Sequence, residues 1–231
     1  MSDQFAIRAN FVLFLFGIVL LVYIIKIIPS INFDPVIYDL KISGNEYLNS
    51  TYLKNMAMPV GGVKFSKLVI PSDLFIKSAH FEYLGNHVAE LIVNERKPAF
   101  ISSTSMGYFL TSSDGVFLMP ISKDEIYKFI GLPIFFGIES FNFDRDGIIN
   151  PVLLNEVKTI FSYPDWFKKL ILEVDLKTNT IYFTKGISIR FKDFNLNEGE
   201  EKVILSIISS APIGTRYLLV DNNFISLSSA F

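Results

Sequence analysis

The stretch Phe11–Ile28, FVLFLFGIVLLVYIIKII, constrains this chain more than any other. No charged side chain interrupts it before Lys26, and two more isoleucines follow. As one helix, its 18 residues would rise roughly 27 Å, close to the thickness of a bilayer hydrocarbon core. Lys26 would then reach the headgroups through its long stem. A cleaved signal peptide is the main rival, but its apolar core is usually shorter, roughly 7–15 residues, and ends in small residues. Here Ile28-Pro29-Ser30-Ile31 supplies no such site. A buried core helix is the third reading, disfavoured because the run is apolar on every side. The expectation is an uncleaved transmembrane helix over 11–28, preceded by a short polar tail over 1–10. Arg8 and Lys26 flank the run almost symmetrically, so charge alone leaves its orientation undecided.

Composition removes several classes of function. The chain has 231 residues, of which 21 are Lys or Arg and 23 are Asp or Glu. A near-neutral, slightly acidic body does not present the basic face that phosphate neutralisation requires, which argues against nucleic acid as a partner. There is no cysteine, so disulfides, thiolate metal sites and cysteine nucleophiles are excluded. The mean hydropathy of +0.40 is high. The apolar run accounts for part of it and 23 phenylalanines for more. No later run reaches spanning length, because Leu132–Ile138 is short and contains Pro133 and Gly137.

Beyond a linker over 29–35, the residues read as an α+β body. Val36–Ser43 alternates like a half-buried strand, with Val36, Tyr38, Leu40 and Ile42 on one face. Gly44-Asn45 closes it, and Asn49 or Ser50 can cap a helix running to about Met58. Asn49-Ser50-Thr51 also matches a glycosylation acceptor, but capping is the more economical reading. A second short helical piece is expected around Pro71. Ile76–Leu84 and His87–Glu95 then form a hairpin about Gly85-Asn86, with Ala89, Leu91 and Val93 turned inward. These elements make a small β-α-α-β-β module over 36–98.

The remainder, 99–231, reads as a mainly antiparallel β-domain with two helices. Strand candidates are Ala99–Thr104, Gly107–Ser112, Gly115–Met119, Leu170–Leu176, Thr180–Thr184, Ile187–Phe194, Arg216–Val220 and Phe224–Leu227. Leu132–Gly137 is a further apolar segment, and Ser122–Gly131 has room for one or two helical turns. Pro151–Phe161 carries an amphipathic stripe. Asn197 with Glu200 three residues later resembles a capping box, opening a helix to about Ser210.

The catalytic inventory is empty. His80 and His87 share the hairpin, but two histidines without a third ligand make a poor zinc site. Asn142–Gly147 imitates the start of a calcium loop, yet the twelfth position is Leu153 and Pro151 interrupts it. Ser105 and Ser113 lie in no nucleophile elbow, and no glycine-rich phosphate loop exists. No cofactor is expected and no enzymatic activity. A membrane-anchored hydrolase therefore lacks its nucleophile and base. What remains is an interaction protein. An exposed sheet edge can bind an extended partner as an added strand, and Phe224–Ser228 is a candidate edge.

Several stretches bear on this in order. Val93-Asn94-Glu95-Arg96-Lys97-Pro98-Ala99 resembles the "v-x-E-R-x-P-x-A" junction of the FtsQ/DivIB cell-division family, where a POTRA domain leads into a β-domain. Ile42-Ser43-Gly44-Asn45 is similar to that family's first POTRA strand and turn, and Phe75–Ala79 to the entry into its second strand. Gly107–Leu110 with Asp114–Phe117 resembles the "y-L-v-d-x-x-G-x-v-f" hairpin, and Leu132-Pro133 to Gly137 the "L-P-x-x-x-G" that follows. The sequence departs from the family in a reduced second POTRA helix and in a tail without a basic cluster.

The resemblance implies a non-catalytic scaffold for septum formation. Its partners would be FtsB/DivIC-like and FtsL-like proteins and other divisome components. It also implies a single-pass protein of the cytoplasmic membrane, with its N-terminus in the cytoplasm and its bulk outside. By the same resemblance, partner binding falls on Tyr217, Leu219, Phe224, Ile225, Ser226 and Leu227. The alternative is a POTRA-containing envelope chaperone or assembly accessory, gripping extended client strands along Ile76–Leu84.

Overall fold

A computed structural model of the chain describes residues 16–22, 34–139, 147–220 and 223–227. Within the apolar run, the described part is a helical segment over 16–22. Among the described residues no helix is long and apolar enough to cross a membrane. This overturns the expected transmembrane helix over 11–28, and with it the expectation of a single-pass protein of the cytoplasmic membrane. A span needs an apolar helix of about 20 residues, and none of that kind is present among the described residues. The tail over 1–10 and the rest of the run lie outside the described residues.

The body is α+β, and its contacts group into two compact units. The smaller comprises Met1–Ser43, Asn49–Pro71 and His80–Ile92; the larger comprises Gly44–Leu48, Ser72–Ala79 and Val93–Phe231.

The elements of the first unit begin with β1 (Val36–Ile37) and β2 (Asp39–Ser43). The sequence suggested one continuous strand here. The chain instead breaks at Tyr38, because the two halves serve different partners. β1 pairs antiparallel with β3 (Val63–Lys64), whereas β2 pairs parallel with β5 (Val88–Glu95). The break also shifts the inward phase: Ile37 and Leu40 are buried, and Tyr38 stands 65% exposed. Between them lies α1 (Ser50–Ala57), which buries Leu53 and Ala57. Asn49 caps it, its side-chain oxygen accepting from the Thr51 amide at 2.7 Å. The second helix anticipated near Pro71 is a single 3-10 turn, Phe65–Lys67. Leu68 is already extended, and Val69-Ile70-Pro71 combines two β-branched residues with a proline that disfavours helix before it.

β4 (Ile76–Gly85) and β5 complete a three-stranded sheet in the order β2-β5-β4. The hairpin turn falls one residue later than expected, on Asn86-His87. Both have positive φ, 49° and 63°, as tight hairpin turns require. Ala89, Leu91 and Val93 are buried as the alternation indicated.

The larger unit holds a nine-stranded sheet. Its strands are β6 (Pro98–Thr104), β7 (Gly107–Ser112), β8 (Phe117–Ile121), β9 (Ile134–Phe136), β10 (Ile171–Asp175), β11 (Thr180–Phe183), β12 (Ser188–Arg190), β13 (Arg216–Val220) and β14 (Asn223–Leu227). Their order is β14-β13-β12-β11-β10-β9-β6-β7-β8. Five hairpin-type pairings are antiparallel, but β9 runs parallel to both β6 and β10, and β12 runs parallel to β13. The sheet is therefore mixed. The helices explain why: parallel neighbours need a long crossover, and the connecting stretches supply it. α2 (Pro151–Phe161) and α3 (Asp165–Lys168) fall between β9 and β10, and α4 (Glu198–Ser210) between β12 and β13. The Asn197–Glu200 capping box is present, with reciprocal bonds of 2.8 and 3.0 Å.

These crossovers build the main core on one face of the sheet. Val157 and Ile160 of α2, Phe167 of α3 and Ile204 and Ile208 of α4 are buried with Val174, Ile181, Phe183 and Ile189 of the strands. Phe100, Phe135 and Phe161 pack ring to ring there, with centroids 4.8–6.0 Å apart. Ile101, next to Phe100 on β6, points the opposite way into a smaller cluster with Leu110, Val116, Leu118 and Ile121.

Candidate functional site

The junction residues that drew attention in sequence are structural anchors of the larger unit. The Glu95 carboxylate, 8% exposed, accepts three backbone N–H bonds: from Glu46 at 2.8 Å, Tyr47 at 2.6 Å and Leu48 at 3.0 Å. A loop turning its amides toward one carboxylate is a strong, charge-assisted arrangement. Arg96 donates from Nε to Asp114 at 2.9 Å and from Nη1 to the carbonyls of Leu74 and Ile76. Gly44 has φ +78°, and a Cβ there would lie 2.1 Å from the Val93 carbonyl oxygen. Asp114 is drawn in two directions. Burial would raise its pKa, but bonds from the Ser112 hydroxyl and Arg96 outweigh burial and hold it below the ordinary value.

The histidines do not converge. His87 Nδ1 lies 2.8 Å from the Val36 carbonyl and its ring meets Tyr38 edge-on, while His80 approaches Glu82 at 3.4 Å. Among the described residues no cluster of three or more metal-ligating side chains exists. The calcium-loop imitation lies outside the described residues except for Gly147.

The six residues assigned to partner binding come together on β13 and β14. The strands are antiparallel, with Tyr217 opposite Ser226 and Leu219 opposite Phe224. Their position is set from behind. Gly214, at φ +79°, donates its amide to the Lys185 carbonyl at 3.1 Å, and Lys185 Nζ reaches the Ile208 and Ser209 carbonyls at the end of α4. Ser188 then donates to Thr215, and β13 begins alongside β12.

Strand alternation divides the six. Tyr217, Leu219 and Phe224 turn toward the main core, Leu219 being buried and the other two packed against it, and Ser226 lies opposite Tyr217 but is exposed. Ile225 and Leu227 turn to the opposite face, 50% and 42% exposed. That face carries two residues the sequence reading passed over. The register runs Thr180–Arg190–Leu218–Ile225 across four strands, and Tyr182–Ser188–Arg216–Leu227 beside it. Arg190 and Arg216 are both exposed. No ion pair among the described residues engages either one. The signal was available, since Arg216 and Leu218 hold the opposite parity to Tyr217 and Leu219. The parallel register that brings Arg190 beside them was not.

β14 ends the sheet, and its outer edge has no strand partner among the described residues. The arrangement can offer an extended chain a row of backbone donors and acceptors, flanked by Ile225, Leu227 and two guanidinium groups. Compared with known proteins, the chain matches no family model and no curated sequence.

Proposed function

We propose that the chain is a non-catalytic scaffold of the FtsQ/DivIB type, which binds FtsB/DivIC-like and FtsL-like division proteins during septum formation. The observation that carries this reading is the outer edge of β14, left without a strand partner among the described residues. An incoming strand would bond to the β14 backbone, and its alternate side chains would meet Ile225 and Leu227. Arg190 and Arg216 favour a partner segment that carries carboxylates. The structural roles of Gly44, Glu95 and Arg96 support the resemblance from which the reading began.

The test is affinity purification of the tagged protein from dividing cells. FtsB-like and FtsL-like proteins co-elute with the parent chain and are lost from Ile225→Pro, whose ring removes a backbone donor from the edge strand. Depletion leaves filamentous cells blocked at septation. Undisturbed division without the protein, or equal recovery of partners with Ile225→Pro, would sink the proposal.

A second reading has its own observation. β4, ten residues long, is the edge of the three-stranded sheet and could grip extended client strands as a chaperone does. Recovery of diverse unfolded clients, sensitive to changes in β4 and indifferent to Ile225→Pro, would favour it.

A further inference from the structure

A cleft of about 240 Å³ opens in the larger unit where the parallel strands β6, β9 and β10 begin. Ala99 and Pro133 line it from the sheet side, and Ile160, Phe161 and Ile171 from α2 and the start of β10. Its wall is apolar, but one side of its mouth is charged. Lys168 is occupied there, donating to the Phe161 carbonyl at 3.1 Å and pairing with Asp165 at 2.9 Å. Lys169 lines the same mouth, is exposed, and makes no ion pair among the described residues. The rim therefore carries one cation in excess.

Size selects among ligand classes. Sites for cofactors and drug-sized molecules run from about 300 to 1,000 Å³, so this cleft is small for them. It suits one large apolar side chain, the kind of anchor that dominates peptide and protein interfaces. Two further features favour a macromolecular partner. Ile130, 89% exposed, directly precedes the lining residue Gly131, and Trp166, 42% exposed, directly follows the lining residue Asp165. Exposed apolar side chains one residue away from the lining are the kind of surface a docked peptide covers.

We propose that this cleft anchors a short peptide segment of a partner protein, one that places a large apolar side chain beside a carboxylate. The apolar side chain enters between Ala99, Ile160 and Ile171, and a flanking carboxylate meets Lys169. The site does not depend on the β14 reading. Four strand spacings separate β10 from β14, about 19 Å, so the two surfaces are distinct.

Three fluorescein-labelled heptapeptides test this with the full chain, each in a Gly-Ser frame. One carries Asp-Leu-Asp at its centre, one Lys-Leu-Lys and one Asp-Ala-Asp. The first binds at least tenfold more tightly than either of the others, and it shifts the methyl resonances of Ile160 and Ile171. Lys169→Glu, a surface change, reduces binding at least fivefold with the methyl spectrum otherwise retained. Ala99→Leu, which fills the cleft, reduces it independently. Leu227→Asp leaves peptide binding unchanged, so the fate of the β14 reading is measured apart from this one. Equal binding of the three peptides, or unmoved Ile160 and Ile171 methyls at saturation, would overturn the proposal. So would displacement of these methyls by octanoate with no binding of the Asp-Leu-Asp peptide, which would make the cleft a small-molecule site.

Discussion

Single residues at the junction do more than mark a motif. Glu95 gathers three amides of one loop onto a single, largely buried carboxylate. Glu95→Ala removes those acceptors at once and is expected to destabilise the chain by about 2–4 kcal/mol in denaturant unfolding. Glu95→Gln keeps one acceptor oxygen and costs less. Asp114 gives the junction a pH dependence. Its pKa is lower folded than unfolded, so its contribution is complete above the unfolded value of about 4 and fades as pH falls through the folded value. Asp114→Asn should therefore destabilise at pH 7 and make less difference near pH 2, in paired thermal melts across that range. An unchanged difference at both pH values would show that Asp114 acts by shape alone.

At the scale of elements, β14 joins two tasks that can be separated by substitution. Phe224 fastens the strand to the core, while Ile225 and Leu227 face away from it. Phe224→Ala should cost roughly 1–2 kcal/mol, less than a fully buried phenylalanine, because Phe224 is only half-buried. Leu227→Asp should leave unfolding within about 0.5 kcal/mol of the parent and still weaken partner capture. Both outcomes are read by pairing denaturant unfolding with the pull-down. Loss of stability without loss of capture in Leu227→Asp would reverse the assignment of faces.

For the whole molecule, the chain crosses between its two units repeatedly instead of once. Segments 44–48, 72–79 and 93–98 belong with the larger unit although they precede most of its sheet. A fragment starting at Ala99 lacks Glu95 with the 46–48 loop it binds, and Arg96 with the Leu74 and Ile76 carbonyls it reaches. It also lacks Phe75, which packs on the smaller core cluster of that unit. Such a fragment should melt at least about 5 °C below the intact chain, by circular dichroism. Equal melting temperatures would show that those segments add nothing to the unit they pack with.

How much of this could be read from residues alone differs by kind of interaction. Caps and alternation are local, so Asn49, Asn197 with Glu200, and the inward set Ala89, Leu91 and Val93 were legible before any coordinates. The strand pair β13–β14 was legible for the same reason. Where two partners compete for one stretch, local pattern failed. Val36–Ser43 looked like one strand because alternation cannot show that β1 and β2 pair with different neighbours. The apolar run showed hydropathy, but among the described residues no helix long and apolar enough to cross a membrane accompanies it. The parallel placement of β10 beside β9 and of β13 beside β12 arises from crossovers through α2, α3 and α4, an order in space that has no period in sequence. That order put Arg190 beside Leu218 and opened the cleft at the starts of β6, β9 and β10. Sequence determined the elements and their inward faces, because those depend on neighbours along the chain. Tertiary structure decided which faces and edges remain uncovered, because that depends on neighbours brought together from far apart.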